Sequence, residues 1–137
     1  MRLLIILRGL PGAGKSTKAI ALAKATVMDT AVWSADAWFQ GVGGYRFNPR
    51  ELGQAHAWCQ TMVIGSMGSG IPIVIVDNTH VCRWEFSVTL AAAAAVGYRV
   101  QVDSLYDAGL TDAELAARCQ HGVSVEAIAA MRRRWEP

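Results

Sequence analysis

Five consecutive aliphatic residues, Leu3 to Leu7, lead through Arg8 into G-L-P-G-A-G-K-S-T, residues 9–17. The aliphatic run suits a short strand buried on both faces. The segment after it suits neither strand nor helix, because Gly9, Pro11, Gly12 and Gly14 crowd into six residues. From Lys15 to Ala25 glycine and proline disappear and Ala, Leu, Ile and Lys dominate, which predicts a helix. Gly9, Gly14, Lys15 and Ser16 fill every fixed place of G-x-x-x-x-G-K-[ST] between that strand and that helix. Few folds accept such a junction. It belongs at the edge of a doubly wound sheet from which ligands are approached.

The rest of the chain keeps the alternation. Thr30 to Ser34 reads as a second strand, Ala35 to Asn48 as irregular chain with Gly41, Gly43 and Gly44, and Pro49 to Met67 as a helix opened by its proline. Ile71 to Val76 is the clearest strand and ends in Asp77-Asn78-Thr79-His80. Arg83 to Val96 holds an alanine block and reads as a helix capped by Gly97; Tyr98 to Ser104 is the fourth strand. Two short helices follow, Thr111 to Gln120 with Thr111 and Glu114 in capping-box spacing, and Val125 to Trp135 after Ser124. The expected fold class is α/β, a P-loop NTPase fold of three layers around a parallel four-stranded sheet covered on both faces, with right-handed crossovers. A length of 137 residues allows one compact domain over 1–137 and no second full domain.

The glycine segment has a chemical purpose. Glycines let backbone N–H groups turn inward around phosphate oxygens, where a side chain would intrude, and the start of the next helix adds unpaired donors and a positive dipole end. Gly12, Ala13, Gly14, Lys15, Ser16 and Thr17 therefore form the expected binding loop for a nucleoside triphosphate, taken as ATP. Lys15 would reach the β- and γ-phosphates, and the Ser16 hydroxyl would take Mg²⁺. A second metal-side group is expected at another strand end. Asp77 stands there, although a strand-end aspartate can also simply cap a turn. Thr79 and His80 could reach the same cleft or form a plain turn.

Phosphoryl transfer also needs an acceptor side. Asp36, just past the second strand in V-W-S-A-D-A-W, could take the proton of an attacking hydroxyl, or it could begin a helical turn as an ordinary first-turn acid. Arg118 could bring positive charge to the γ-phosphate from a closing lid, or lie solvated on its helix. Six of the eleven aromatic residues, Trp33, Trp38, Phe39, Tyr45, Phe47 and Trp58, fall between positions 33 and 58. Trp33 and Trp58 read as packing; Trp38, Phe39 and Tyr45 lie in glycine-rich chain where aromatic faces could stack a base. Arg46 and Arg50 flank them and could meet phosphates. Arg132, Arg133 and Arg134 point about 100° apart on a helix, so they read as a solvated helix end rather than a stripe.

The succession GLPGAGKST, SAD, YRFNPRELGQAHAWC, VIVDNTH and RCQHGVSVEAIAAMRRRWE resembles the polynucleotide 5′-hydroxyl kinase family and its close P-loop relatives, over Leu3 to Glu136. The resemblance implies that Lys15 and Ser16 hold phosphates and metal, that Asp36 activates the acceptor hydroxyl and that Arg118 serves as lid. It implies nucleic acid, DNA or RNA, as the substrate partner, and the Asp77 strand beside the P-loop strand. The chain departs from the family in two places. Ala37-Trp38-Phe39-Gln40 lacks the arginine that 5′-end binders carry there, and His80 stands where relatives commonly have asparagine.

Composition narrows the setting. The apolar share of 53% excludes a disordered chain, and a net charge of +2 is too small for a field that wraps nucleic acid, so binding there needs local arginines. Cys59, Cys82 and Cys119 encode neither a disulfide framework nor a zinc knuckle, which fits a reduced, cytoplasmic setting. The opening apolar run is far shorter than the roughly 18 residues of a membrane span. Three functions remain open: a kinase for a nucleic-acid hydroxyl, whether a 5′ end or a hydroxymethyl group on a modified base; a kinase for a small molecule or nucleotide; and an ATPase switch without acceptor.

Overall fold

The computed structural model describes all residues, 1–137. Four parallel strands, β1 (Leu3–Gly9), β2 (Thr30–Trp33), β5 (Ile73–Asp77) and β6 (Arg99–Tyr106), form one sheet in the order β2-β5-β1-β6. β1 lies at its centre with Leu7 paired to Asp77 on one side and to Asp103 on the other. The P-loop NTPase fold follows, with the Asp77 strand beside the P-loop strand as the family resemblance implies.

Alternation along β1 divides the core. Leu4 and Ile6 face α2 (Leu52–Gly68) and α3 (Ser87–Ala95), in a cluster with Ala55, Cys59, Val63 and Met67. Those four α2 residues recur every fourth position and so share one helix face. Ile5 and Leu7 point the other way, with Ile73, Ile75 and Ala19 of α1 (Lys15–Lys24). Leu4, Ile6 and Leu7 are fully buried, each contributing about 1.5–3 kcal/mol of transfer free energy.

Coverage is uneven. β6 is an edge strand whose residues 99–102 are exposed, with Val100 and Val102 about 40% accessible, so the expected cover on both faces stops short of it. One helix, α1, serves the β1 and β5 side, while α4 (Asp112–Arg118) and α5 (Val125–Arg134) leave the sheet and pack on the P-loop. The segment expected to be irregular contains a 3-10 turn, Ala35–Phe39, and a hairpin of β3 (Gln40–Gly41) and β4 (Gly44–Tyr45). Pro49 opens a further 3-10 turn, Pro49–Glu51, and Arg83–Phe86 another, before α2 and α3 begin. No helix is long and apolar enough to cross a membrane.

Candidate active site

The loop after β1 is held from three sides. The Gly9 amide donates to Thr79 O (3.1 Å), the Leu10 amide to Tyr106 O (2.8 Å) and the Ala13 amide to Leu10 O (3.1 Å). The amides of Gly12, Gly14, Lys15, Ser16 and Thr17 donate to no protein acceptor, so five orphan donors gather where the helix begins. Ala13, expected among the binding residues, has already used its amide, and its side chain is buried with Leu10, Leu115 and Ile128. It shapes the loop from behind. Gly12 (φ 84°) and Gly14 (φ 100°) adopt left-handed backbone that other residues rarely hold. Gly12 has a second reason to lack a side chain, because a Cβ there would stand 2.3 Å from the Leu115 carbonyl oxygen of α4.

Lys15 is buried, and its ammonium group donates to Gly9 O (2.8 Å) and Leu10 O (3.2 Å). Burial lowers its pKa, against the opposing charges of Asp77 and Asp36. The Ser16 hydroxyl donates to Asp77 Oδ2 at 2.8 Å. Burial raises the Asp77 pKa despite that bond and the nearby Lys15. A hydroxyl and a carboxylate side by side among orphan amides form a hard-oxygen donor set, the kind that holds Mg²⁺ together with phosphate oxygens and water. No cluster of three or more His, Cys, Asp or Glu exists, so an all-protein metal cage is not built.

Asp36 stands in the first turn of the 3-10 segment. Its carboxylate caps no backbone amide. Oδ1 instead accepts from the Tyr45 hydroxyl at 3.3 Å, and its charge acts on Lys15 and Asp77. Burial and the Asp36 carboxylate push the Tyr45 phenol up to about 12. The turn is anchored by Asn78, whose Oδ1 accepts from the Ala35 amide at 2.8 Å and whose Nδ2 donates to Cys59 Sγ at 3.6 Å. Asn78 thus ties the end of β5 to the acceptor-side turn, a role that no spacing in the sequence betrays.

Arg118 is exposed at the end of α4 and its Nη2 lies 3.9 Å from where a Cβ on Gly14 would sit, so the guanidinium overhangs the phosphate loop without a protein partner. Earlier in α4, Leu115 is fully buried and packs with Leu10, Ala13 and Ile128. That loop places His121 flat against Tyr45, ring centroids 3.6 Å apart and planes within 15°. In the sequence, Tyr45 groups with its aromatic neighbours and His121 stands in the RCQHGVS segment with no role of its own.

Two residues fall outside the cleft. His80 is buried beneath β1, with Nδ1 2.9 Å from Leu7 O and φ 46°, and burial lowers its pKa to about 4; it supports the sheet. Arg132 is not a solvated helix end. It donates to Asp107 Oδ2 (2.6 Å), Asp112 Oδ1 (2.8 Å), Leu110 O (3.0 Å) and the Tyr106 hydroxyl (3.3 Å), binding α5 to the β6–α4 connection. Trp33 and Trp58 pack edge to face at the rim of the core, as expected.

Comparison with known proteins agrees with this frame. NEDD4-binding protein 2 of Homo sapiens is 35% identical over a 131-residue alignment, and the match covers 93% of this chain and 7% of that protein. The chain therefore spans a small part of that relative. Kti12 of Chaetomium thermophilum in complex with ADP-AlF3 superposes with a TM-score of 0.74 at 18% identity, covering 98% of this chain and 80% of that one. A chain of the Pnkp1/Rnl/Hen1 RNA repair complex superposes with a TM-score of 0.72 at 18% identity, over 97% of this chain and 43% of that one. At such identities the shared property is the P-loop kinase-like fold. A family model described as an AAA domain matches residues 4–137, so the chain belongs to that family.

Proposed function

We propose that this domain transfers the γ-phosphoryl group of ATP to a hydroxyl on nucleic acid, a polynucleotide 5′-hydroxyl before a hydroxymethylated base. The observation that carries the reading is the exposed Asp36 carboxylate, which caps no backbone amide and lies near enough to Lys15 and Asp77 for its charge to act on both. A nucleotide-binding switch has no use for such a group there.

The orphan amides of Gly12, Gly14, Lys15, Ser16 and Thr17 would bind the phosphate oxygens, and Lys15 would exchange its two carbonyl partners for them. Ser16 and Asp77 would hold Mg²⁺, which supplies charge neutralisation on the β- and γ-phosphates when bound. Asp36 takes the proton of the acceptor hydroxyl as its oxygen bonds to the γ-phosphorus. The bond from that phosphorus to the β–γ bridging oxygen breaks, ADP leaves, and Arg118 meets the charge on the transferred group.

The nucleic-acid side rests on the exposed rim beside Asp36. Trp38, Tyr45 and Phe47 keep accessible surface in this stretch with Arg46 and Arg50, the local cations that a chain of net charge +2 requires, whereas Phe39, expected among the stacking faces, is buried in the core and has no free face. The fold shared with a chain of an RNA repair complex supports the same reading.

The test offers γ-labelled ATP and Mg²⁺ with a 5′-hydroxyl oligonucleotide, a 5′-blocked oligonucleotide bearing a hydroxymethylated pyrimidine, and a nucleoside panel. Label on the first is expected. Free phosphate with no labelled acceptor would instead indicate a switch. Asp36→Asn should lower turnover by about 10²-fold with little change in ATP affinity, and intact turnover would remove Asp36 as the base.

A further inference from the structure

Among the aromatic pairs, Tyr45 and His121 differ from all the others. The remaining ring pairs meet edge-on or tilted at centroid distances of 5.0–6.1 Å, as packed side chains do. Tyr45 and His121 lie face to face at 3.6 Å and 15°. That is the geometry of a heteroaromatic ring stacked on a phenol. The two residues come from elements far apart in the chain, Tyr45 from the β3–β4 hairpin and His121 from the loop between α4 and α5.

Their supports are unequal. Tyr45 is half-buried, sits edge-on to Phe39 and donates its hydroxyl to Asp36. His121 is exposed and makes no hydrogen bond or ion pair, and Gly122 beside it takes φ 70° in a short loop. The imidazole is thus engaged by stacking and by no polar partner, and a purine or pyrimidine offers a larger π-face for the same position.

We propose that Tyr45 is the stacking platform for the nucleobase attached to the acceptor hydroxyl, and that His121 occupies this platform until the base displaces it. The inference rests on the phosphotransfer reading above and names its substrate class as base-bearing acceptors. Because the Tyr45 hydroxyl touches Asp36, a base seated on the ring brings its own sugar to the side of the cleft where the proton is taken. Arg46 and Phe47, both exposed and directly following Tyr45, continue the surface along which the next nucleotides would run.

The experiment compares two oligonucleotides with the same 5′-hydroxyl, one ending in a normal nucleoside and one in an abasic tetrahydrofuran residue. KM should be about tenfold or more lower for the base-bearing acceptor. Tyr45→Leu should abolish that difference, whereas Tyr45→Phe should keep it and alter kcat instead. His121→Ala should lower KM for the base-bearing acceptor by removing its competitor. In parallel, the His121 ring proton resonances, shifted upfield over Tyr45, should move to free-histidine positions when the base-bearing oligonucleotide saturates the protein and stay in place with the abasic one. Equal KM changes for both acceptors in Tyr45→Leu, or phosphorylation with His121 unmoved, overturns the platform and leaves the transfer reading intact. Release of His121 without any transfer keeps the platform and sinks the transfer reading. An oligonucleotide that neither binds nor accepts label overturns both.

Discussion

His80 shows how one residue can look like site chemistry and serve the scaffold. It follows Asp77-Asn78-Thr79 in a polar strand end, but its left-handed φ of 46° turns the imidazole under β1 onto the Leu7 carbonyl. Histidine is one of the few residues with a side chain that is enriched in that backbone region. Burial lowers the pKa of His80 from 6.5 to about 4. Above pH 6.5 both folded and unfolded chains carry a neutral imidazole. Between about pH 6.5 and 4 the unfolded chain binds a proton that the folded chain refuses, so stability falls as pH falls, by about 3 kcal/mol across the window. Asp77, with its pKa raised by burial, acts in the opposite sense, because the folded chain takes up its proton first. Urea unfolding of the native protein and His80→Asn at pH 7 and pH 4.5 isolates the histidine. The asparagine variant should lose clearly less stability on acidification, and equal losses would show that His80 is not the titrating group.

At the level of elements, the sequence made the regular ones legible and hid the connections between them. Strand and helix positions follow from aliphatic runs, alanine content and caps such as Thr111 with Glu114, which do bond reciprocally. The β3–β4 hairpin was not legible, because strands of two residues carry no periodicity and the Val42-Gly43 turn resembles any loop. Lys15, Ser16 and Asp77 were legible because their spacing and strand-end position are dictated by phosphate geometry. Asn78, Tyr45 and His121 act through contacts across 43 and 76 residues, which no local pattern encodes. Arg132 was misread for the same reason: its partners Asp107, Leu110 and Asp112 lie 20 to 25 residues away in another element. It fixes the β6–α4 connection, and through it the seat of α4 against Gly12. Arg132→Met keeps the aliphatic stem and deletes the fork, so it should cost about 2 kcal/mol and raise hydrogen exchange from Asp107 to Arg118. Unchanged exchange in that segment would mean that Leu115 and Ile128 alone hold the lid base.

For the molecule as a whole, the phosphate loop is backed by a buried cation, Arg8. Arg8, 2% exposed in the last turn of β1 before the glycines, donates to His80 O (3.0 Å), Val81 O (3.0 Å) and Glu136 O (2.5 Å), and lies over the rings of Trp135 (4.2 Å) and Phe86 (5.3 Å). One side chain thereby ties the central strand to the chain after β5 and to the chain after α5. Burial lowers its pKa, with the Glu136 and Glu85 carboxylates acting against it; a guanidinium stays charged, so the site satisfies the cation directly with carbonyl dipoles and aromatic faces. That solution depends on a planar fork. An ammonium on a lysine stem keeps the charge but cannot span acceptors on two separate segments, and it is more costly to dehydrate. Arg8→Lys should therefore destabilise the fold by about 2–4 kcal/mol, measured as a shift in urea midpoint at constant slope. It should also weaken ATP binding, because Gly9 and Leu10, whose carbonyls receive Lys15, leave the sheet directly from Arg8. A lysine variant as stable as the native protein would show that charge, and not the fork, is what the back of the phosphate loop requires. A variant that is destabilised yet binds ATP normally would show that the loop is held by Thr79, Tyr106 and α4 without help from the strand end.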